Sequence, residues 1–341
     1  MEPLNLVNLI QAATVGVSSL GGVLLWQKSH LRGIALLVWF TAFASAVNIL
    51  EETGITRDIY LISPVFIMFF GPAVYLAVKH ATHSNFKASD WLHLLPVLPI
   101  LFFTAEVAAV IAVGTVWRVI YAYFTARLLI HYKQKLDEQR SDADDFSLNW
   151  LLWLIVVTAL FNFVDLVRLN SQILISHELN IFGQGINNGV WLLATSIIIV
   201  KFVDQNMLPR PVKNVSVQVK QHSPGNEDYQ SIFNELDRRI QKEKWFLQLR
   251  LTLADISELT GLQTREISRA INTVTHKSFN EYINDYRVQH VCQALDKQTS
   301  MSLTQLYTDA GFSSKASFNK VFKENMGVTP SQYKSDKSTG S

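Results

Sequence analysis

The sequence predicts an all-α protein: a seven-span transmembrane helical bundle followed by a cytoplasmic domain of two helix-turn-helix units. Three observations predict it. Long apolar runs dominate the chain up to about residue 203. From 204 to 225, "DQNMLPRPVKNVSVQVKQHSPG" carries three prolines and no sustained period. Beyond 225 the chain turns charged and leucine-punctuated, and a short pattern within it occurs twice. The predicted domains are therefore a seven-span module at 1–203, a flexible linker at 204–225 and a helix-turn-helix domain at 226–341.

A membrane-spanning helix needs about twenty mostly apolar residues. Runs of that kind lie at roughly 5–27, 33–50, 59–79, 91–108, 112–131, 149–168 and 181–203. The first lacks the basic leader of a cleavable signal peptide and reads as a span. The fourth and fifth are separated only by Glu106 and Gly114, and their combined length fits two helices joined by a tight hairpin. Pro64, Pro72, Pro96 and Pro99 fall in the third and fourth runs, where they are expected to kink the backbone.

Basic residues set the direction. Lys28 and Arg32, Lys79 and Lys87, then Lys133, Lys135 and Arg140 occupy alternate loops, and Lys201, Arg210, Lys213 and Lys220 follow the last span. The other loops hold Glu51, Glu52, Arg57, Asp58, Glu106 and Arg168, which are mixed or acidic. This pattern predicts a multi-pass inner-membrane protein with its amino terminus outside and its carboxyl domain in the cytoplasm. Arg127 lies near the cytoplasmic end of its span and is expected to snorkel.

Ten polar residues within or beside the spans are harder to dismiss, because polar groups are expensive inside a membrane. They are Asn48, Glu51, Glu52, Arg118, Asn162, Asp165, Arg168, Gln184, Asn187 and Asn188. All fall in the outer half of the predicted topology, with Arg118 and Asp165 placed to pair. They form either an outward-facing pocket for a small-molecule ligand or a structural polar network between helices. His80, His83 and His93 cluster near one loop but lack a carboxylate or thiolate partner. The single cysteine, Cys292, excludes an intrachain disulfide framework and a cysteine zinc site. No metal and no cofactor are predicted.

In the carboxyl domain, Ile232, Phe233, Leu236 and Ile240 follow helical spacing. That helix packs on the rest of the carboxyl domain or, alternatively, serves a homodimer. The repeat comes next. Leu253, Ile256, Gly261 and Leu262 recur fifty residues on as Leu303, Leu306, Gly311 and Phe312. Ile267, Ile271, Ser278 and Tyr282 recur at fifty-one as Phe318, Phe322, Thr329 and Tyr333. Each unit, at about 252–275 and 302–326, reads as helix, glycine turn and second helix. Thr252 with Asp255, and Ser302 with Gln305, match the capping-box spacing. Each second helix has an apolar side and a polar side. Arg265, Ser268, Arg269 and Asn272 form the polar side of the first; Ala316, Asn319, Lys320 and Lys323 form that of the second. Such faces match base edges in a major groove, with bordering lysines suited to phosphates. "SFNEYINDYRVQHVCQALDK" reads as one helix that sets the spacing of the units. Lys and Arg nearly balance Asp and Glu after residue 225, so a basic footprint must come from distribution rather than net charge.

Over about 251–334 these residues resemble the AraC/XylS family of bacterial transcription regulators. "GFSSKASFNKVFKENMGVTPSQYK" is similar to the family's second unit with its threonine–proline–x–x–tyrosine ending, and "LTLADISELTGLQTREISRAIN" to its first. The resemblance implicates Arg265, Ser268 and Arg269 in one reading helix, and Lys315, Ala316, Asn319 and Lys320 in the other. Tyr307 stands where the family usually has a small residue, and Ala316 offers no hydrogen bond. The amino-terminal half is similar to the seven-span membrane variant of the family.

The expected function is a membrane-bound, one-component transcription regulator, not an enzyme, controlled by a signal sensed in the spans. Its expected partners are double-stranded promoter DNA, the lipid bilayer, a small-molecule ligand, RNA polymerase and a second copy of the chain. The alternative is a membrane transporter or membrane enzyme with a DNA-binding regulatory tail. No Walker loop, metal motif or nucleophile elbow supports that alternative.

Overall fold

A computed structural model of the chain describes residues 5–57, 59–83, 87–171, 174–205, 208–209, 226–297 and 301–339. Most of the predicted linker, with Asp58, Arg210, Lys213 and Lys220, lies outside the described residues. The chain divides into two compact units, Met1–Ile130 with Leu148–Arg210, and His131–Ser147 with Pro211–Ser341. Among the described residues every regular element is helical; the only extended pairing is an isolated bridge between Arg140 and Thr252.

The first unit holds α1 (Leu6–Trp26), α2 (Arg32–Glu52), α3 (Ser63–Thr82), α4 (Val97–Ile100), most of α5 (Val107–Gln139), α6 (Asn149–Asn170) and α7 (His177–Asp204). Six of these are long and apolar enough to cross a membrane. The predicted fourth span is not a continuous helix. It is a 3-10 turn over Ala88–Leu94 followed by the single turn of α4. Pro96 and Pro99 account for the break, since neither can donate a backbone hydrogen bond. Lys79 ties down the start of this segment through Asp90, and Tyr60 donates to the Leu101 carbonyl near its end.

The unit exposes many large apolar side chains and buries, beside apolar residues such as Ile34, Val38 and Phe202, a set of polar ones. α1 turns Asn8, Gln11, Thr14, Ser18, Gly21 and Gly22 inward, while Leu6, Leu9 and Leu20 face out at 65–67% exposure. α1 packs on α2 and α7, α2 on α3, and α6 on α7. Small residues permit the closest approach. A Cβ on Gly22 would sit 2.2 Å from the Trp39 indole nitrogen, which donates to the Ser19 carbonyl at 3.2 Å.

The second unit holds α8 (Asn226–Glu243), α9 (Leu253–Thr260), α10 (Thr264–Thr275), α11 (Phe279–Asp296), α12 (Leu303–Asp309), α13 (Lys315–Met326) and α14 (Pro330–Thr339). It has two cores. Leu236, Ile240, Leu253, Ile256, Ile267, Ile271 and Ile283 fill the first; Val291, Leu295, Leu306, Phe312, Phe318 and Phe322 fill the second. α11 contributes to both. Each fully buried Leu, Ile or Phe adds about 1.5–3 kcal/mol by its removal from water. α8 packs on α10 and places Leu236 and Ile240 in the first core. That helix therefore completes the domain it precedes.

Candidate nucleic-acid interface and polar cavity

The two helix-turn-helix units are built as their sequences dictate. Thr252 and Asp255 cap α9 reciprocally, as Ser302 and Gln305 cap α12. Gly261 and Gly311 adopt positive φ, +74° and +85°, at the two turns. A side chain at Gly311 would also strike the Leu247 carbonyl oxygen, 2.6 Å from an ideal Cβ. Glycine is thus required there both by conformation and by space. Tyr307, the departure from the family pattern, stacks on Phe318 with ring centroids 5.5 Å apart. The bulk is absorbed as aromatic packing.

On α10, Ile267, Ala270 and Ile271 are buried, while Arg265, Arg269 and Asn272 are exposed and Ser268 is half-buried. Arg269 also donates to the Tyr229 hydroxyl of α8 at 3.4 Å. On α13, Phe318, Val321 and Phe322 are buried, and Lys315, Ala316, Asn319, Lys320 and Lys323 are exposed. Each second helix therefore presents the residues expected to read DNA along its outer face.

A contact that no sequence pattern announces crosses that face. The segment after α5, which belongs to this unit, ends in a 3-10 turn over Ala143–Phe146 that packs on α13. Lys320 reaches Asp144 at 2.7 Å. Asp145 accepts hydrogen bonds from the hydroxyls of Ser313 and Ser314, the latter being the α13 N-cap. Asp144 also pairs with Lys133 at 3.1 Å and accepts from Asn280 at 3.1 Å. Burial raises the Asp144 pKa, but Lys133 and Lys320 together outweigh it and hold the carboxyl below its ordinary value. Lys320 is held above its ordinary value: burial opposes this, and Asp144 prevails.

Arg287 of α11 anchors the segment. Its side chain, 1% exposed, donates to the carbonyls of Phe246 at 2.7 Å and Gln248 at 2.8 Å, and to the Ser141 hydroxyl at 3.0 Å. Burial pushes its pKa down to about 10. The signal for this site was a lone arginine inside the predicted connecting helix, whose partners are remote in sequence.

In the first unit, nine of the ten polar residues singled out in the spans line one cavity of about 320 Å³: Asn48, Glu52, Arg118, Asn162, Asp165, Arg168, Gln184, Asn187 and Asn188. Gln11 and Trp191 join them. Glu51 does not. Its carboxylate accepts from the backbone amides of Ile62 and Ser63, at 2.7 and 3.1 Å, where α3 begins. The expected Arg118–Asp165 pair is also replaced. Asp165 pairs with Arg168 at 2.8 Å, a neighbour three residues on along the same helix face. Arg118 donates instead to the Asn162 side chain and lies over the Trp191 ring, 5.8 Å from its centroid. Glu52 is held by neutral amides: Asn8 at 2.7 Å, Gln11 at 3.1 Å and Gln184 at 2.6 Å. Of the histidines, His93 hydrogen-bonds the Tyr121 hydroxyl at 2.8 Å and His83 the Thr82 hydroxyl at 2.8 Å.

Comparison with known proteins bears on the second unit. Residues 256–336 match the family described as "Helix-turn-helix domain". An uncharacterized HTH-type transcriptional regulator of Staphylococcus aureus strain COL is 30% identical over 112 residues, 32% of this chain and 15% of the relative. The counterpart in strain MRSA252 gives the same figures. The chain thus spans about 15% of the length of these regulators. Regulatory protein SoxS of Salmonella typhimurium is 27% identical over 84 residues, 25% of this chain and 78% of SoxS. No solved structure matches. With two glycine-turned helix pairs around α11 and matches to HTH-type regulators, residues 256–336 form an AraC-type helix-turn-helix domain.

Proposed function

We propose that this protein is a membrane-bound, one-component transcription regulator: the first unit senses a signal, and the second binds promoter DNA through α10 and α13. One observation carries the reading. A domain whose two second helices expose arginine, asparagine and lysine is continuous in sequence with a unit that exposes large apolar side chains along its long helices and encloses a polar-lined cavity. An outward apolar surface suits lipid and not water.

The helix directions support seven crossings, with the fourth irregular. The starts of α3 and α5 line the same cavity, through Ser63 and Pro64 and through Val107 and Ile111. α3 runs away from that end, and the described residues 87–106 lead back to it at Val107. Their anchors, Asp90 on Lys79 and Leu101 under Tyr60, follow that course. The polar cavity lies at the end where α1 begins and α7 starts, which the charge pattern assigns to the outside. Specific DNA binding then rests on Arg265, Ser268, Arg269, Asn272, Lys315, Asn319, Lys320 and Lys323, with Ala316 offering only apolar contact. Promoter DNA and lipid are the primary partners; RNA polymerase and a second copy of the chain follow from the regulatory role. The localisation proposed is the inner membrane, with the second unit in the cytoplasm.

Chromatin capture with the intact protein tests this. Arg265→Ala and Asn319→Ala should lose specific sites while membrane insertion is unchanged. A fluorescent reporter fused after residue 339 should be active in the cytoplasm, and alkaline phosphatase fused near residue 105 should be active outside. Sites retained by both variants, or a carboxyl-terminal reporter exported from the cell, would sink the reading.

A further inference from the structure

The cavity of the first unit holds two opposite charges without ionic partners. Glu52 accepts hydrogen bonds only from amides. Arg118 donates only to Asn162, and its Nε has no partner. Neither makes an ion pair among the described residues; the one pair lining the cavity, Asp165 with Arg168, is engaged further with Asn187 and Asn180. Asn187 also leaves its Oδ1 without a partner. Unpaired charges removed from water are costly, and more so within a membrane. Some 320 Å³ admits on the order of ten non-hydrogen atoms, at about 30 Å³ for each water-sized group.

We propose that this cavity binds a small zwitterion, a molecule of amino-acid size whose anionic group meets Arg118 and whose ammonium group meets Glu52. The proposal rests on the sensing role of the first unit and names its ligand class. A planar carboxylate matches the guanidinium fork, and the unpartnered Asn187 Oδ1 can accept a hydrogen bond from the ammonium. A zwitterion neutralises both charges at once; an ion of either sign leaves the other unpaired.

The test uses the full chain in lipid nanodiscs. Calorimetry and thermal unfolding are run against the twenty L-α-amino acids and glycine betaine, with propionate and propylamine as single-charge controls. At least one zwitterion should bind and raise the melting temperature, and both controls should bind at least tenfold more weakly. Arg118→Gln and Glu52→Gln should each weaken that zwitterion at least tenfold. If either variant fails to insert, the controls on the natural chain decide. Absence of any zwitterion binding, or propionate binding as tightly as the best zwitterion, overturns the proposal. DNA binding and topology are measured without ligand, so this failure leaves the regulator reading standing.

The segment after α5 carries a second, independent inference. Helix-turn-helix proteins read bases with the amino-terminal part of the second helix, where an anion is also favoured by the helix dipole. Asp145 occupies that end of α13 through Ser313 and Ser314, and Asp144 neutralises Lys320, six residues or nearly two turns further on. Two carboxylates thus stand where phosphate and base edges must come, and they repel a duplex. We infer that residues 141–147 form an acidic clasp that keeps α13 from DNA until it is released. The inference assumes the DNA-binding role proposed for α13.

Full-length protein in nanodiscs, with promoter fragments recovered by chromatin capture, tests the clasp. Asp144→Asn with Asp145→Asn should bind those fragments at least tenfold more tightly than the natural chain. In the natural chain, hydrogen exchange across 141–147 should quicken when DNA is added. The second measurement holds even if the double variant misfolds. Unchanged or weaker binding by a folded double variant, or unaltered exchange on DNA addition, removes the clasp. If no fragment binds, it is the DNA-binding role itself that fails.

Discussion

The two units differ in what they expose rather than in whether they have an apolar interior. In the second unit Phe318 and Phe322 are 1% and 0% exposed, and lysines crowd the surface. In the first, Phe102, Trp153 and Leu193 are 86%, 71% and 64% exposed, and the buried positions include Asn8, Gln11 and Ser18. Water explains the one arrangement and not the other. A helix face is sorted by its surroundings, and outward Phe102, Trp153 and Leu193 are the sorting that the proposed lipid environment would give.

That contrast can be broken most directly in the cores. Phe322→Ala should remove about 3–5 kcal/mol from the second unit, read as a lower unfolding temperature for that unit. Leu193→Ala should leave the first unit's melting within about 0.5 kcal/mol of the natural chain. Leu193→Asp is the sharper probe of the outer face. A mid-span aspartate opposes membrane insertion by about 2.5–3.5 kcal/mol, seen as loss of protein from the membrane fraction; in a water-facing site it would be silent. Arg287→Gln comes next. It strands buried carbonyls at about 1–3 kcal/mol and should speed hydrogen exchange across 141–147, leaving the first unit unaltered.

The smallest expected effect is with pH. Asp144 lies below its ordinary value, so its stabilising pairing is complete above the unfolded carboxylate range and is lost as pH falls through the depressed value. Lys320 lies above its ordinary value, so its share is complete below the unfolded lysine range and is lost as pH rises through the raised value. Exchange across 141–147 should therefore be flat, beyond its intrinsic pH dependence, from about pH 5 to 9. A step near neutrality would show that some other group governs the segment.

Local rules carried much of the second unit. The capping pairs at Thr252 and Ser302 and the turns at Gly261 and Gly311 need only neighbours within a few residues, and they form where the pattern puts them. The polar residues of the spans were also legible, because so few reasons exist to place Glu52 or Asp165 in an apolar run. Their pairing was not. Charge alone pairs Arg118 with Asp165, whereas helix geometry favours Arg168, three positions away. The contacts of Asp144 and Asp145 with α13 were invisible, since 168 to 176 residues separate the partners and no period records so remote a meeting. α5 also continues to Gln139, past the apolar run that marked it, because "KQKLDEQ" propagates a helix well without being apolar.

α11 has a consequence for how the second unit comes apart. Phe279 and Ile283 near its start serve one core, and Val291 and Leu295 near its end serve the other. Severing the polypeptide at the middle of this rod would leave each fragment with an unroofed half, so neither reading module is expected to survive excision. The pair should melt as a single cooperative body, and mutational damage to one core should lower the melting temperature of both.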